Sequence, residues 1–272
     1  MIDKETMKKE REDTELSQQN IYDDPVFFEN FKSLREDEVN FNDLIETPII
    51  TAMLPDLSGM RVLDIGCGMG QHAAQYARAG ASAVVAIDIS ERMLAYAREN
   101  NSAGNICYRR LPFEELEQLD GPFDVVTSSL AFDYVEDLGE LMGKIHAILA
   151  NDGVLVFSIS HPIATAHDGT YDRFMRAPSG ERLYANLRNY AIEGERHTRW
   201  VVEDCEYYHR TVSTLINEVI QAGFAIEECQ ESKVSEDMLE SYPGRFDGEI
   251  HQPSFIFFRC GRRERRSHGG GR

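Results

Sequence analysis

The residues of this sequence best suited to chemistry lie in one short glycine-rich run. Asp64 is followed by three glycines at alternate positions, in the run Asp64-Ile65-Gly66-Cys67-Gly68-Met69-Gly70. Glycine lets a backbone pass close to a bound molecule, and a helix that starts directly after it offers free N–H groups and a positive dipole. The run therefore predicts a turn that holds a ligand against the backbone.

Two acids distinguish between the cofactor classes that use such a turn, the dinucleotides and S-adenosylmethionine. The spacing here is G-x-G-x-G, whereas the dinucleotide fingerprint is G-x-G-x-x-G. Asp64 would repel a pyrophosphate, and it suits the ammonium group of S-adenosylmethionine. Asp88, at the end of the next predicted strand, is placed to accept hydrogen bonds from both ribose hydroxyls. We therefore predict S-adenosylmethionine as the cofactor, with S-adenosylhomocysteine as its product, and no metal.

The elements that must position these acids alternate between strand and helix from Arg61 onward. The predicted strands are 61–65, 83–88, 105–109, 123–128 and 154–159, and the helices between and after them are 71–78, 90–100, 113–119 and 138–149. Two β-rich runs at 224–229 and 254–260 could add a sixth and a seventh strand. Strands that alternate with helices pair in parallel through right-handed crossovers. The pattern predicts an α/β, Rossmann-like, doubly wound fold with a mostly parallel seven-stranded sheet and helices on both faces.

The chain divides into five predicted segments. They are an N-terminal tail with lid helices (1–54), a cofactor-binding core (55–160), a substrate lid insertion (161–210), the C-terminal completion of the sheet (211–260) and a basic tail expected to be disordered (261–272). Apolar residues recur at helical spacing between 25 and 54, which predicts two amphipathic helices. The insertion is too long for an ordinary connection, so we expect it to cover the carboxyl ends of the strands, where open α/β sheets bind ligands.

Composition limits the partners of the chain. Its 272 residues carry a formal net charge of −19, and binding to phosphate backbones needs clustered Lys and Arg, so nucleic acid is disfavoured as a partner. The six arginines between Arg259 and Arg272 run against this trend. No apolar run approaches the roughly 20 residues that cross a bilayer, and the charged N-terminus is unlike a secretory signal. We expect a cytoplasmic protein without a membrane partner.

Three segments around the two acids resemble motifs of the class I S-adenosylmethionine-dependent methyltransferases. They are 62–70 at the glycine-rich run, 87–94 after the second strand and 123–131 at the fourth strand. The resemblance covers 60–160 and extends to one bacterial branch of small-molecule methyltransferases. The residues that carry this extension are Phe27, Phe28, Phe31 and the runs 158–162 and 209–211.

The resemblance implies a cofactor-binding role for residues in each segment. It places Asp64 and the glycines, with Cys67 between them, at the methionine end of the cofactor, and Asp88 at its ribose. The remaining implied contacts are Ile89 and Met93 near the adenosine, Pro112 and Phe113 at the adenine, and Ser129 and Leu130 beside the sulfonium.

Methyl transfer needs a general base only when the nucleophile must lose a proton. His161, directly after the fifth predicted strand, is the best-placed candidate base, and His209 is second by likeness to the family. Either histidine could instead be a hydrogen-bonded scaffold residue. Asp133 could bind a cationic substrate or cap a helix. The aromatic candidates for an acceptor pocket are Phe28, Phe31, Tyr171 and Phe174.

These features favour methylation of a small-molecule acceptor, apolar or aromatic, at oxygen, nitrogen or carbon, with natural-product metabolism as the expected setting. An RNA or protein methyltransferase, a non-catalytic S-adenosylmethionine-binding protein and a nicotinamide dehydrogenase are the alternatives. The predicted helices between 25 and 54 are amphipathic enough to pack against a second copy, which leaves a homo-oligomer open.

Overall fold

A computed structural model describes residues 20–167, 171–198 and 205–263 of the protein. Most of the predicted N-terminal and C-terminal tails, at 1–19 and 264–272, lies outside these ranges. Within them the strands are β1 (Arg61–Ile65), β2 (Ala83–Asp88), β3 (Ile106–Arg110), β4 (Phe123–Ser129), β5 (Leu149–Ser160), β6 (Phe174–Arg176), β7 (Arg182–Ala185), β8 (Gly194–Thr198), β9 (Cys205–His209), β10 (Phe224–Glu231) and β11 (Phe255–Arg262). The helices are α1 (Pro25–Glu36), α2 (Thr47–Met53), α3 (Gln71–Arg78), α4 (Glu91–Asn100), α5 (Leu138–Ile148), α6 (Pro162–Thr165), α7 (Val212–Gln221) and α8 (Glu236–Ser241).

Seven strands form the central sheet in the order β10-β11-β5-β4-β1-β2-β3. The strands β1 to β5 pair in parallel, and β11 lies antiparallel between β5 and β10. This topology confirms the predicted Rossmann-like, mostly parallel seven-stranded sheet. The order also reverses between β1 and β4, which is where sheets of this kind leave a crevice for ligands.

Helices cover both faces of the sheet. Neighbouring residues of a strand point to opposite sides, and here the side chains on both sides are apolar and need cover. Val62 and Val125 pack on the face that holds α2, α3 and α4, whereas Leu63 and Val126 pack on the face that holds α5 and α7. Each strand of the centre is therefore apolar on both sides, as expected for a buried parallel sheet.

Side-chain caps fix where most of the helices begin. The side chain of the residue before the helix accepts a hydrogen bond from the backbone N–H three residues later, which satisfies one donor of the first turn. These caps are Asp24 before α1, Ser90 before α4, Asp137 before α5, Thr211 before α7 and Ser235 before α8. The cap of α4 at Ser90 agrees with the sequence prediction.

The N-terminal helices pack on their own chain. Phe27 and Phe28 of α1 are buried, and Ile50 and Met53 of α2 lie against Val156 of β5 and its neighbour β11. A π-helical turn, Asn42–Glu46, leads directly into α2, so the second predicted helix is irregular at its start. The homo-oligomer through these helices stays a prediction.

The structure adds elements that the sequence pattern did not indicate. The described part of 161–210 contains the short helix α6 and two hairpins, β6-β7 and β8-β9, and the predicted helix at 113–119 is a 3₁₀ helix, Phe113–Gln118. The strand predicted to start at Val154 starts at Leu149, which pairs with Phe123 before the register shifts. None of the helices in the described ranges is long and apolar enough to cross a membrane.

Candidate active site

The glycine turn between β1 and α3 adopts a backbone that side chains resist. Gly66, Gly68 and Gly70 have φ of +70°, +51° and +81°. A Cβ on Gly66 would lie 2.3 Å from the Cβ of Ala131, so the turn passes directly against the end of β4. A Cβ on Gly68 would meet nothing within 4 Å. The turn is thus packed on one side and has open space beside its middle glycine.

Asp64 lies at the carboxyl end of β1, next to this open turn, and is 2% exposed. Its Oδ1 accepts a hydrogen bond from the hydroxyl of Thr127 at 3.3 Å. Its Oδ2 is buried and has no hydrogen-bond partner among the described residues. Burial raises the pKa of this carboxyl from 3.8 to about 6. A buried acceptor without a donor is unfavourable, so Oδ2 is suited to a cationic donor from a ligand.

Asp88 ends β2 and connects the glycine turn to the start of α4. Its Oδ2 accepts from the backbone N–H of Gly68 at 2.8 Å, and its Oδ1 accepts from that of Ser90 at 2.9 Å. Burial raises the pKa of Asp88 to about 6, although both backbone hydrogen bonds act in the opposite direction. Each carboxylate oxygen has more than one acceptor position, so both can still accept from a ribose.

A third buried acid, Glu46, comes from the π-helical turn and was not identified from the sequence. Its Oε1 accepts from the hydroxyls of Ser129 at 2.9 Å and Ser158 at 2.6 Å. Its Oε2 lies 3.5 Å from Nε2 of His72, in the first turn of α3. Burial alone would raise the pKa of Glu46, but the hydrogen bonds from His72 and the two serines outweigh it and hold the pKa below its ordinary value.

The charges at this edge of the sheet favour a cationic ligand. The carboxyls of Glu46, Asp64 and Asp88 are buried there. The imidazole of His72 lowers the pKa of Glu46 and of Asp64. A pyrophosphate would add negative charge to this group. S-adenosylmethionine carries a sulfonium and an ammonium against one carboxylate, and the free Oδ2 of Asp64 and the open space at Gly68 fit it.

Comparisons with known proteins agree with this reading. A family profile described as a methyltransferase domain matches residues 63–157. The crystal structure of an S-adenosylmethionine dependent methyltransferase from Mesorhizobium loti has a TM-score of 0.72 and 35% sequence identity, covering 80% of this chain and 97% of that one. The chain belongs to the class I S-adenosylmethionine-dependent methyltransferases. The predicted family and cofactor are confirmed, and the dehydrogenase and non-catalytic alternatives are set aside.

Two further relatives of this methyltransferase differ in how much of it they match. A protein of Haemophilus influenzae is 35% identical over 246 residues, which are 88% of this chain and 96% of that protein. The malonyl-[acyl-carrier protein] O-methyltransferase of Pectobacterium atrosepticum is 35% identical over 128 residues, 47% of each chain. The chain thus spans about half the length of this second relative.

The segment 20–36 of the methyltransferase covers the glycine turn. Phe28 of α1 packs with Met69 of the turn and Met93 of α4, both of which are buried. Ahead of the helix, Asp23 accepts hydrogen bonds from the hydroxyl of Ser90 at 2.6 Å and the backbone N–H of Arg92 at 3.0 Å. Met93 therefore lies beside the glycine turn under segment 20–36, and its contact with the adenosine stays a prediction.

The other predicted cofactor contacts lie around the same turn. Phe113 is buried beside Gly66, and Pro112 precedes it at the start of the 3₁₀ helix. The carbonyl of Ile89 accepts from Nε of Arg110 at 3.0 Å. The thiol of Cys67 is buried, and burial followed by the nearby acids raises its pKa well above the ordinary value. Cys67 is thus a small packed residue of the turn and not a thiolate.

Leu130 directly follows β4 and has a φ of +51°, a left-handed conformation that a leucine rarely adopts. Its backbone N–H donates to the hydroxyl of Ser158 at 3.2 Å, and this hydroxyl in turn donates to Glu46. Strained residues of this kind collect at functional sites and persist when neighbouring groups fix them. Glu46 therefore supports the turn that the family likeness assigns to the sulfonium.

Both candidate bases use both ring nitrogens in hydrogen bonds. In His161, Nε2 lies 2.9 Å from Oε1 of Glu231 and Nδ1 accepts from the N–H of Ile163 at 3.1 Å. In His209, Nδ1 lies 2.7 Å from the hydroxyl of Thr165 and Nε2 lies 2.9 Å from the carbonyl of Tyr190. Burial lowers the pKa of each ring. Their geometry is that of scaffold residues, and a role as general base stays a prediction.

The predicted acceptor residues divide into two groups. Asp133 is buried in the 3₁₀ turn Phe132–Tyr134 that follows β4, where it accepts from the N–H and hydroxyl of Ser160. Phe28 and Phe31 belong to α1 over the glycine turn. Tyr171 and Phe174 lie elsewhere. The ring of Tyr171 is 4.7 Å from that of His167, and Phe174 packs beside Gly248. The structure thus brings the first three residues towards the cofactor site, and not the last two.

Proposed function

We propose that this methyltransferase acts on a small-molecule acceptor that it encloses with its own chain. The observation that carries the proposal is the cover over the strand ends. Segment 20–36 lies on the glycine turn, and β9 packs against the 3₁₀ turn Phe132–Tyr134 that follows β4. A folded RNA or protein would have to displace these elements to reach the buried acids, whereas a small molecule would displace much less. The net charge of −19 also opposes a nucleic acid.

Aromatic groups support an apolar or aromatic acceptor, of the kind found in natural-product metabolism. Tyr22 and Tyr134 join segment 20–36 to the end of β4 through hydroxyls 2.8 Å apart, and Tyr22 also packs edge-on against Phe27 and Phe31. Burial raises the pKa of both phenols, so they stay protonated at neutral pH. One of the two hydroxyls donates to the other, and the second hydroxyl keeps its hydrogen for a ligand. Rings of this kind can hold a flat acceptor and orient one polar group on it.

In catalysis the chain positions the methyl donor and the acceptor, and it excludes water. Bound S-adenosylmethionine supplies a methyl group on a positively charged sulfur, which is the leaving group of an in-line displacement. Alignment alone is worth effective molarities of about 10⁵–10⁸ M, so no catalytic triad is required. A general base is needed only for an acceptor that must lose a proton. Whether oxygen, nitrogen or carbon is methylated follows from the acceptor.

The match to a malonyl-[acyl-carrier protein] O-methyltransferase supports one variant of this proposal. That relative acts on a small acyl group attached to a carrier, and the similarity covers about half of each chain. Here too the reacting part would be small and would enter beneath the cover, while the carrier stayed outside. Carrier-bound acceptors therefore belong in the test.

The test is release of S-adenosylhomocysteine by the full chain with defined acceptors. The panel contains aromatic and aliphatic alcohols, amines, carbon nucleophiles, malonyl-acyl carrier protein, total RNA and a mixed protein substrate. Release with a small or carrier-bound acceptor, lost in the Asp64→Asn variant, supports the proposal. Methylation confined to RNA or to protein side chains would refute it.

A further inference from the structure

Three buried polar atoms near the glycine turn lie without hydrogen-bond partners among the described residues: the hydroxyl of Tyr76, Oδ2 of Asp64 and Nδ1 of His72. Only the last two belong to groups that carry opposite charges. Asp64 precedes the turn in sequence and His72 follows it. The charge of His72 lowers the pKa of Asp64, and the charge of Asp64 raises the pKa of His72. Buried polar groups are nearly always paired in folded proteins, so two orphans at one place indicate that a ligand completes them.

The environment of His72 favours the protonated form of its ring. Its Nε2 lies 3.5 Å from Oε2 of Glu46, whose side chain has no exposed surface. Burial alone would lower the pKa of the imidazole, but the hydrogen bond and charge of Glu46, with the charge of Asp64, raise it above the ordinary value. With Nε2 directed at Glu46, a protonated ring has one N–H left to donate, at Nδ1.

Other positive groups lie around the same point. His72 is the second residue of α3, where the first-turn N–H groups lack partners within the helix and the dipole is positive. Arg35, at the end of α1, is close enough to lower the pKa of His72, and it pairs with Asp43 at 3.2 Å. Its side chain is only 9% exposed. Thus one side of the turn carries a free carboxylate oxygen and the other a group of donors that suits an anion.

We propose that His72 binds the α-carboxylate of the amino-acid end of S-adenosylmethionine, while Oδ2 of Asp64 takes its ammonium group. Glu46 is then a positioning residue, which orients the His72 ring through Nε2 and leaves Nδ1 for the ligand. The pair of orphans matches the two opposite charges of an α-amino acid. The inference rests on the cofactor assignment and adds to it the residue that recognises the carboxylate.

The test compares two ligands that differ only in this carboxylate, S-adenosylmethionine and decarboxylated S-adenosylmethionine. Dissociation constants are measured by calorimetry for the full chain at pH 7, where Asp64 and Asp88, with pKa values of about 6, are ionised. Because a hydrogen bond between charged groups is strong, the wild-type protein should bind the complete ligand about 10- to 100-fold more tightly. In His72→Gln this ratio should fall to about threefold or less, with the decarboxylated ligand bound nearly as in the wild type.

Two further variants make the result specific. Glu46→Gln should lower the ratio as well, because it removes the partner that holds the ring charged, whereas a purely structural role would weaken both ligands equally. If His72→Gln does not fold, Glu46→Gln is used for the test in its place. Gln75→Ala, on the same helix, should keep the wild-type ratio.

The outcomes separate this inference from the cofactor assignment. If the wild-type protein binds neither S-adenosylmethionine nor S-adenosylhomocysteine, the assignment itself is wrong. If it binds the complete and the decarboxylated ligand equally, or if the ratio survives in His72→Gln and is lost in Arg35→Gln, then His72 does not recognise the carboxylate and the proposal is overturned.

Discussion

Replacing Asp64 by asparagine should stabilise the protein without its ligand and weaken its hold on the cofactor. Burial raises the pKa of this carboxyl from 3.8 to about 6, so at neutral pH the folded protein carries an ionised group that its surroundings disfavour. The difference between these two pKa values corresponds to about 3 kcal/mol. Asparagine has the same shape and keeps an oxygen for the Thr127 hydroxyl, which lies 3.3 Å away. We expect Asp64→Asn to raise the free energy of unfolding at pH 7 by about 1–3 kcal/mol, because the new amide recovers only part of the 3.

The pH dependence of this gain identifies its cause. The pKa of Asp64 is higher in the folded than in the unfolded chain, so between about pH 4 and pH 6 the folded state binds more protons, and stability falls as the pH rises through this window. The asparagine variant lacks this slope. The gain in the free energy of unfolding of Asp64→Asn over the wild type should therefore be near zero at about pH 4 and reach its full size above about pH 6.

Urea unfolding followed by circular dichroism at several pH values measures this gain, with Asp152→Asn as the control because Asp152 is an exposed acid of the same kind. The same variant should bind S-adenosylhomocysteine about 10- to 100-fold more weakly, through the lost contact to its ammonium. A variant that is less stable than the wild type at pH 7, by an amount independent of pH, would refute the reasoning. So would a stabilised variant that binds the cofactor as before.

Three other predictions concern the same turn. Asp88→Asn should weaken binding of 5′-deoxy-5′-methylthioadenosine, which keeps the ribose and lacks the amino acid, by about 10-fold or more in calorimetry; an unchanged affinity would exclude a ribose contact. Gly66→Ala should lower the free energy of unfolding by about 2–4 kcal/mol, because its Cβ would lie 2.3 Å from that of Ala131 at a positive φ, whereas Gly68→Ala, with open space, should cost about 1 kcal/mol. S-adenosylhomocysteine should bind about tenfold more weakly at pH 5 than at pH 7.5 for each of Asp64 and Asp88 that must ionise, since both have a pKa of about 6; equal affinity at the two pH values would contradict this.

Local signals explain which elements were predictable. Ser90 is a cap, and the helix after it begins within one residue of the predicted position. The glycine turn, Asp64 and Asp88 belong to one continuous strand-helix-strand unit, so sequence spacing alone could place both acids at the same sheet edge. The start of β5 could not be placed in this way, because Leu149 pairs with Phe123 across a shift in register that depends on the neighbouring strand.

The missed residues come from contacts between distant segments. Glu46 meets Ser129 and Ser158, which are 83 and 112 residues away in sequence, and its irregular π-helical turn carries no simple periodicity. His72 could have been noticed as a titratable side chain in the first turn of the helix after the glycines. Its charge, however, depends on Glu46, so the sequence could not assign it a role. The hairpins β6-β7 and β8-β9 were missed for a similar reason, since their short strands lack a repeat.

The three buried acids divide by the source of their counter-charge. Glu46 is compensated within the protein by His72 and two serine hydroxyls, and its pKa lies below the ordinary value despite complete burial. For Asp64 and Asp88 the hydrogen bonds they accept, and for Asp64 the charge of His72, offset burial only in part, so their pKa values lie near 6. A cation that binds beside them removes part of this unfavourable energy, so ionisation and binding favour each other. The two acids expected from the sequence to meet the ligand are thus the two whose burial the folded chain offsets only in part, and Glu46 supports the site without serving as its counter-charge.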